Sequence, residues 1–188
     1  MTSFYNGRAG KRLVALGALA ASLSISGAAS AASQGTLGAT STGNITITAS
    51  VPSRARITGL TDVSFLNQDP GTAASDAQDV CVWSNTATKG YTVTATGDGG
   101  ANAFTLTNGS GTVAYSVEWN ASSGQTSGTA LTTGVASAGL VSTATHQTCT
   151  SGPSSSASLI VGIDTTELGT MDAGSNYTGV LTLVVTPQ

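Results

Sequence analysis

Two segments of this chain alternate apolar and polar residues without a break. Near the start, GNITITASVP sets Ile45, Ile47, Ala49 and Val51 against Asn44, Thr46, Thr48 and Ser50. At the end, YTGVLTLVVTPQ places Tyr177, Leu181, Leu183 and Val185 on one face, with Gly179 between them. Alternation with period two predicts half-buried β-strands. Strands at opposite ends of a chain can pair with each other, or one can be offered to a neighbouring molecule.

The stretch between them carries the same period. DVCVWS, at 79–84, predicts a strand with Cys81 and Trp83 on one face and Val80 and Val82 on the other. YTVTAT, at 91–96, turns Tyr91, Val93 and Ala95 inward. Phe104 and Leu106 mark the next strand, ended by Asn108-Gly109 and expected to neighbour 91–96 in a meander. VAYSVEWN, at 113–120, aligns Val113, Tyr115, Val117 and Trp119. Residues 157–164 align Leu159, Val161 and Ile163. A short strand is expected within 54–60, weak ones near Leu131 and Leu140, and loops over 67–77 and 165–175. Glycine-rich turns separate these runs, and no long helical period appears. The reading is all-β, an immunoglobulin-like β-sandwich of about seven to nine strands.

The first 32 residues stand outside that pattern. Arg8, Lys11 and Arg12 precede an apolar run from Leu13 to Ile25, and Ala29-Ser30-Ala31 offers a small-residue cleavage site. This three-part arrangement predicts a secretory signal peptide over residues 1–32. The run is short and broken by Gly17, Ser22 and Ser24, so no stable membrane insertion is expected.

Export changes the charge balance. The signal takes three of the six basic residues and none of the nine acidic ones, leaving a formal charge of −6. Arg54, Arg56 and Lys89 alone cannot line a nucleic-acid groove, which needs clustered cations to neutralise phosphates. In an exported chain, Cys81 and Cys149 are expected to form one disulfide, and with two cysteines the connectivity has a single solution. Closing a loop of that length is worth about 4 kcal/mol in the chain-entropy picture.

Candidate chemistry is sparse. The single histidine, His146, lies in THQTC and lacks a serine-nucleophile motif to serve. Asp76 with Asp79, and Asp164 with Glu167, are the carboxylate pairs a hydrolase could use. Neither a zinc ligand set nor a calcium loop is present in the sequence pattern, and no cofactor is expected. Trp83 and Trp119 suit either the core or a sugar-stacking platform. No enzyme is expected. A self-complete secreted β-sandwich that binds carbohydrate or another cell-surface ligand is the alternative to a structural role.

The two alternating ends resemble those of chaperone–usher pilus subunits of the colonisation-factor type. GNITITASVP is similar to the start of such a mature pilin, and AGSNYTGVLTLVVT, at 173–186, to its last strand. The resemblance implies a sandwich that lacks one strand. It implies that residues 33–52 form an N-terminal extension with a donor strand, and that residues 53–188 form the pilin domain. Ile45, Ile47, Ala49 and Val51 would enter a neighbour, and Tyr177, Leu181, Leu183 and Val185 would line its acceptor groove. The implied partners are copies of the same chain in a fibre, a periplasmic chaperone and an outer-membrane usher. The implied location is the cell surface, reached through the periplasm.

Overall fold

The computed structural model describes residues 31–188. All but the last two positions of the expected signal peptide lie outside the described residues. The chain divides into two units, one ending at Ser50 and one running from Val51 to Gln188.

Residues 31–50 are exposed throughout. Their one regular feature is an antiparallel bridge. Ser33 N–H donates to the Asn44 carbonyl at 2.9 Å, and Asn44 N–H returns the bond at 3.0 Å. The strand expected over 43–51 does not form. Alternation fixes which side chains share a face, but a strand also needs a partner for its backbone groups and an apolar surface to cover.

The second unit contains strands β1 (Ala55–Thr58), β2 (Ala74–Ser84), β3 (Gly90–Gly97), β4 (Thr105–Thr107), β5 (Thr112–Ala114) and β6 (Ser116–Asn120). Two-residue strands β7 (Thr129–Ala130) and β8 (Leu140–Val141) follow, then β9 (Ala157–Ile163), a single helical turn α1 (Thr165–Leu168) and β10 (Leu181–Pro187). One sheet has the order β1-β2-β9-β6-β7 and the other β10-β3-β8, with β4-β5 as a separate hairpin. Every pairing is antiparallel. The fold is an all-β sandwich.

One apolar core joins the sheets. Val80 and Val82 of β2 and Leu159, Val161 and Ile163 of β9 meet Tyr91, Val93 and Ala95 of β3. The parity expected at 79–84 and 91–96 is the one observed, Val80 and Val82 lying in this core and Cys81 with Trp83 in a second cluster around the disulfide, so that β2 is buried on both faces there; Thr92 of β3 is buried as well. Strand β9 is central in its sheet, so Ser158 and Ile160 are buried as well.

Four local expectations are corrected. Strand β2 begins at Ala74, so the loop placed over 67–77 ends earlier; pairing Ala74 with Ile163 extends the ladder beyond its apolar run. Residues 113–120 form two strands, because Tyr115 N–H turns to the Phe104 carbonyl at 2.9 Å while β6 joins β9. The neighbour of β4 is β5, and β3 lies between β10 and β8 instead of forming a meander with β4. The loop over 165–175 contains α1, whose N-terminus is capped by Asp164 accepting from Glu167 N–H at 2.8 Å.

Cys81 and Cys149 are joined by a disulfide that ties β2 to the loop before β9. Ala144 is buried against it and Trp83 packs alongside.

Candidate groove along the last strand

Strand β10 alternates half-buried and exposed residues along its whole length. Its sequence allows this, because Leu181, Leu183 and Val185 share one parity and Thr182, Val184 and Thr186 the other. One backbone edge is bonded to β3, from Leu181 opposite Gly97 to Pro187 opposite Tyr91. The other edge pairs with no strand among the described residues.

The chain could have covered that edge after β1 but does not. Gly59 ends β1 in a left-handed conformation, φ +87°, that a side-chain-bearing residue adopts only under strain. From there residues 60–70 run without regular structure. Thr61 is held to β2 by Gln78, which accepts from Thr61 N–H at 2.8 Å and donates to its carbonyl at 3.1 Å.

Between this segment and β10 lies a groove of about 1230 Å³. Leu181 and Leu183 form one wall, Val63 and Phe65 the other, and Leu159 and Val161 of β9 contribute the floor. Leu60 and Leu66 stand exposed on the rim. The opposite side of the sandwich holds only a smaller pocket of about 250 Å³, lined by residues that include Trp119, Leu131 and Val135. There Gly134 and Ser137 donate backbone bonds to Ala95 and Val93, each at 2.8 Å, and occupy the other edge of β3.

The predicted groove residues divide. Leu181, Leu183 and Tyr177 line the groove, and Val185 packs on the core beyond its end. The Tyr177 hydroxyl is held by Asp172, whose N–H donates to it at 3.2 Å. Ile45, Ile47, Ala49 and Val51 are exposed and belong to no strand. Phe65, Val63 and Leu168 were missed as lining residues. Their only sequence signal is apolarity, in the irregular stretch 60–70 for Val63 and Phe65 and at the end of the short α1 turn for Leu168, and that does not say which surface they cover.

The ionisable side chains that line the groove are Asp62, Asp172, Tyr115 and Tyr177. Tyr115 lines it, and its hydroxyl is buried without a hydrogen-bond partner. Burial, and secondarily the Asp98 carboxylate, hold that phenol above its ordinary range. The arrangement offers apolar walls and a free strand edge, which suits an extended peptide better than a reacting small molecule.

Asp76 is exposed on β2, and the other candidates make structural contacts. His146 Nδ1 lies 2.9 Å from the hydroxyls of both Thr148 and Thr150, bracing its own loop. Trp119 is in the core. Asp79 accepts from Gly124 N–H at 2.6 Å and from the Ser158 hydroxyl at 2.7 Å. These bonds, in that order, hold its carboxyl below the usual value. Glu167 accepts from Ala114 N–H at 2.7 Å. Among the described residues, no three His, Cys, Asp or Glu side chains gather to hold a metal ion, and no helix is long and apolar enough to cross a membrane.

No protein-family model matches the chain, and no curated protein does. One solved structure to which the chain is similar is a chain of a chaperone–tip adhesin complex described as vital for synergistic activation of CFA/I fimbriae biogenesis. The two are 17% identical with a TM-score of 0.49, over 71% of this chain and 41% of that one. This chain therefore spans about two fifths of the length of the protein it matches.

Proposed function

We propose that this chain is a structural subunit of a bacterial surface pilus, or fimbria, assembled by donor-strand exchange and without a catalytic role. Residues 33–52 are the extension that carries the donor strand, and residues 53–188 are the sandwich that accepts one. The groove carries this reading. It sets apolar walls beside an unpaired strand edge, in a chain that also owns an alternating apolar segment without a ladder.

In this reading, Ile45, Ile47, Ala49 and Val51 of one copy enter the groove of the next. Leu181 and Leu183 receive them, flanked by Tyr177 and Val185. The seven residues from 45 to 51 extend about 23 Å, matching the seven residues of β10. Backbone bonds to the free edge give general affinity, and the alternate side chains fix register. Each isoleucine so buried contributes about 2 kcal/mol.

An open groove and a free edge invite aggregation. A periplasmic chaperone would occupy them until exchange at an outer-membrane usher delivers the subunit to the cell surface. There the fibre would support adhesion or biofilm formation.

The test is electrophoresis of surface-extracted protein in SDS, unheated and boiled. Strand exchange gives an unheated ladder that collapses to one band on boiling. One monomer band in both lanes would overturn the proposal and favour a self-complete sandwich that binds a carbohydrate.

A further inference from the structure

The charged residues of the second unit are sorted along the strands. Ser84 of β2 pairs with Ala55 at one end of the sandwich, and Ala74 pairs with Ile163 at the other. The ten residue steps between them span about 33 Å.

All three cations lie at the Ser84 end. Arg54 precedes β1, and its carbonyl accepts from Asn85 N–H at 3.1 Å. Arg56 sits opposite Trp83. Lys89 lies in the turn from β2 to β3 and immediately precedes Gly90. Arg54 and Arg56 are exposed. Gln188 bonds Gly90 here, and even a carboxylate on it would leave this end positive.

The carboxylates lie away from that end. Asp98 follows the far end of β3, Asp164, Glu167 and Asp172 follow the far end of β9, and Asp69 precedes the start of β2. The remaining four are intermediate and fall no nearer the cations than Asp79. Glu118 is level with Ala77 through Ile160, and Asp62 adjoins Thr61, which bonds Gln78.

We propose that this polarity directs copies of the chain to associate head to tail, the Arg54–Arg56–Lys89 end of one copy against the Asp98–Asp172 end of the next. The partner is a second copy because one molecule carries both complementary surfaces. Opposite ends attract, whereas head-to-head and tail-to-tail encounters set like charges together and are suppressed. At about 0.1 M salt the screening length is about 10 Å, so charges at the contact act while those a domain length away do not. A heterologous contact of this kind propagates into a fibre. The device stands apart from strand exchange but agrees in direction with it. Residues 43–52 join the domain beside Arg54, at the cationic end.

The experiment is sedimentation of the mature chain carrying Ile47→Asp, which silences strand donation, at about 0.1 M and about 1 M salt. Head-to-tail attraction predicts an association constant at least roughly tenfold weaker at high salt. It also predicts loss of association in the added triple variant Arg54→Glu, Arg56→Glu, Lys89→Glu. The labelled triple variant should still bind the Ile47→Asp chain one to one, because its acidic end is intact and can meet an intact cationic end. Association that strengthens with salt would mark apolar contact through the groove and overturn the inference. So would association indifferent to salt and to the triple variant, or no association at all. Strand exchange is read separately, from the heat-sensitive ladder of the unsubstituted chain, so either idea can fail without the other.

Discussion

Trp119 donates its indole N–H to the hydroxyl of Tyr91 at 3.3 Å, and this buried bond crosses from one sheet of the sandwich to the other. Tyr91 is fully enclosed and Trp119 nearly so. Tyr91→Phe keeps the ring and strands the indole N–H. The expected loss is about 1–3 kcal/mol, the usual penalty for a buried donor left unpaired. Urea unfolding followed by tryptophan fluorescence checks it, and an unchanged midpoint would mean the bond contributes nothing.

The two buried tyrosines should also set the alkaline limit of the fold. Burial holds the Tyr91 phenol above its ordinary value of 10.0, and burial followed by the Asp98 carboxylate does the same for Tyr115. Their folded values are raised, so the stabilisation is fully present below pH 10.0 and is lost as pH rises through those values. The double variant Tyr91→Phe, Tyr115→Phe should therefore lose less stability than the parent between about pH 8 and about pH 11. At neutral pH, Tyr115→Phe alone removes an unpartnered buried hydroxyl and should gain about 1 kcal/mol. Parallel slopes for parent and double variant would count against this account.

Asp79 gives the acid counterpart. Its carboxyl is held below the ordinary 3.8 by Gly124 N–H and then by the Ser158 hydroxyl. This contribution is present above pH 3.8 and is lost as pH falls through the lowered value. Asp79→Asn should flatten the acid limb and speed amide exchange at Gly124. Unchanged exchange there would show that the carboxylate does not hold the loop.

The Cys81–Cys149 bond closes a separation of 68 residues. Replacing both cysteines by alanine should lower unfolding free energy by about 2–5 kcal/mol. Reductant should shift the unfolding midpoint of the parent and leave the double variant unmoved.

Strand faces were legible because burying one side of a sheet imposes alternation, and Val80, Val82, Tyr91, Val93 and Ala95 are all enclosed as their parity requires. What alternation cannot encode is the partner. The segment at 45–51 has as clean a pattern as β10 yet forms no ladder, whereas β2 runs on through the polar residues Ser75, Asp76 and Gln78 because β9 lies beside it. Of the groove, the Leu181 and Leu183 wall could be read. The Phe65 wall could not, since nothing local in SFLNQ distinguishes a rim from a loop. The charge polarity was hidden for the same reason. Arg56 and Lys89 are far apart in sequence and share one end only through the β1-β2 and β2-β3 connections.

The groove proposal makes its strongest claim through parity on a single strand. Leu183 faces the groove, while its neighbour Val184 is 52% exposed on the outer face. Leu183→Asp should abolish acceptance of a donor strand, because it forfeits about 2 kcal/mol of apolar burial and places a carboxylate where the donor must seal out water. Its own residues 43–51 remain able to donate. Ile47→Asp should do the reverse, accepting but not donating. Neither variant alone should give the heat-sensitive ladder in SDS, and a mixture should stop at heat-sensitive dimers, since one competent donor meets one competent groove. Val184→Asp should polymerise as the parent does. A heat-sensitive SDS ladder from Leu183→Asp, or an equal block from Val184→Asp, would show that the inner face of β10 is not the surface that receives a neighbour.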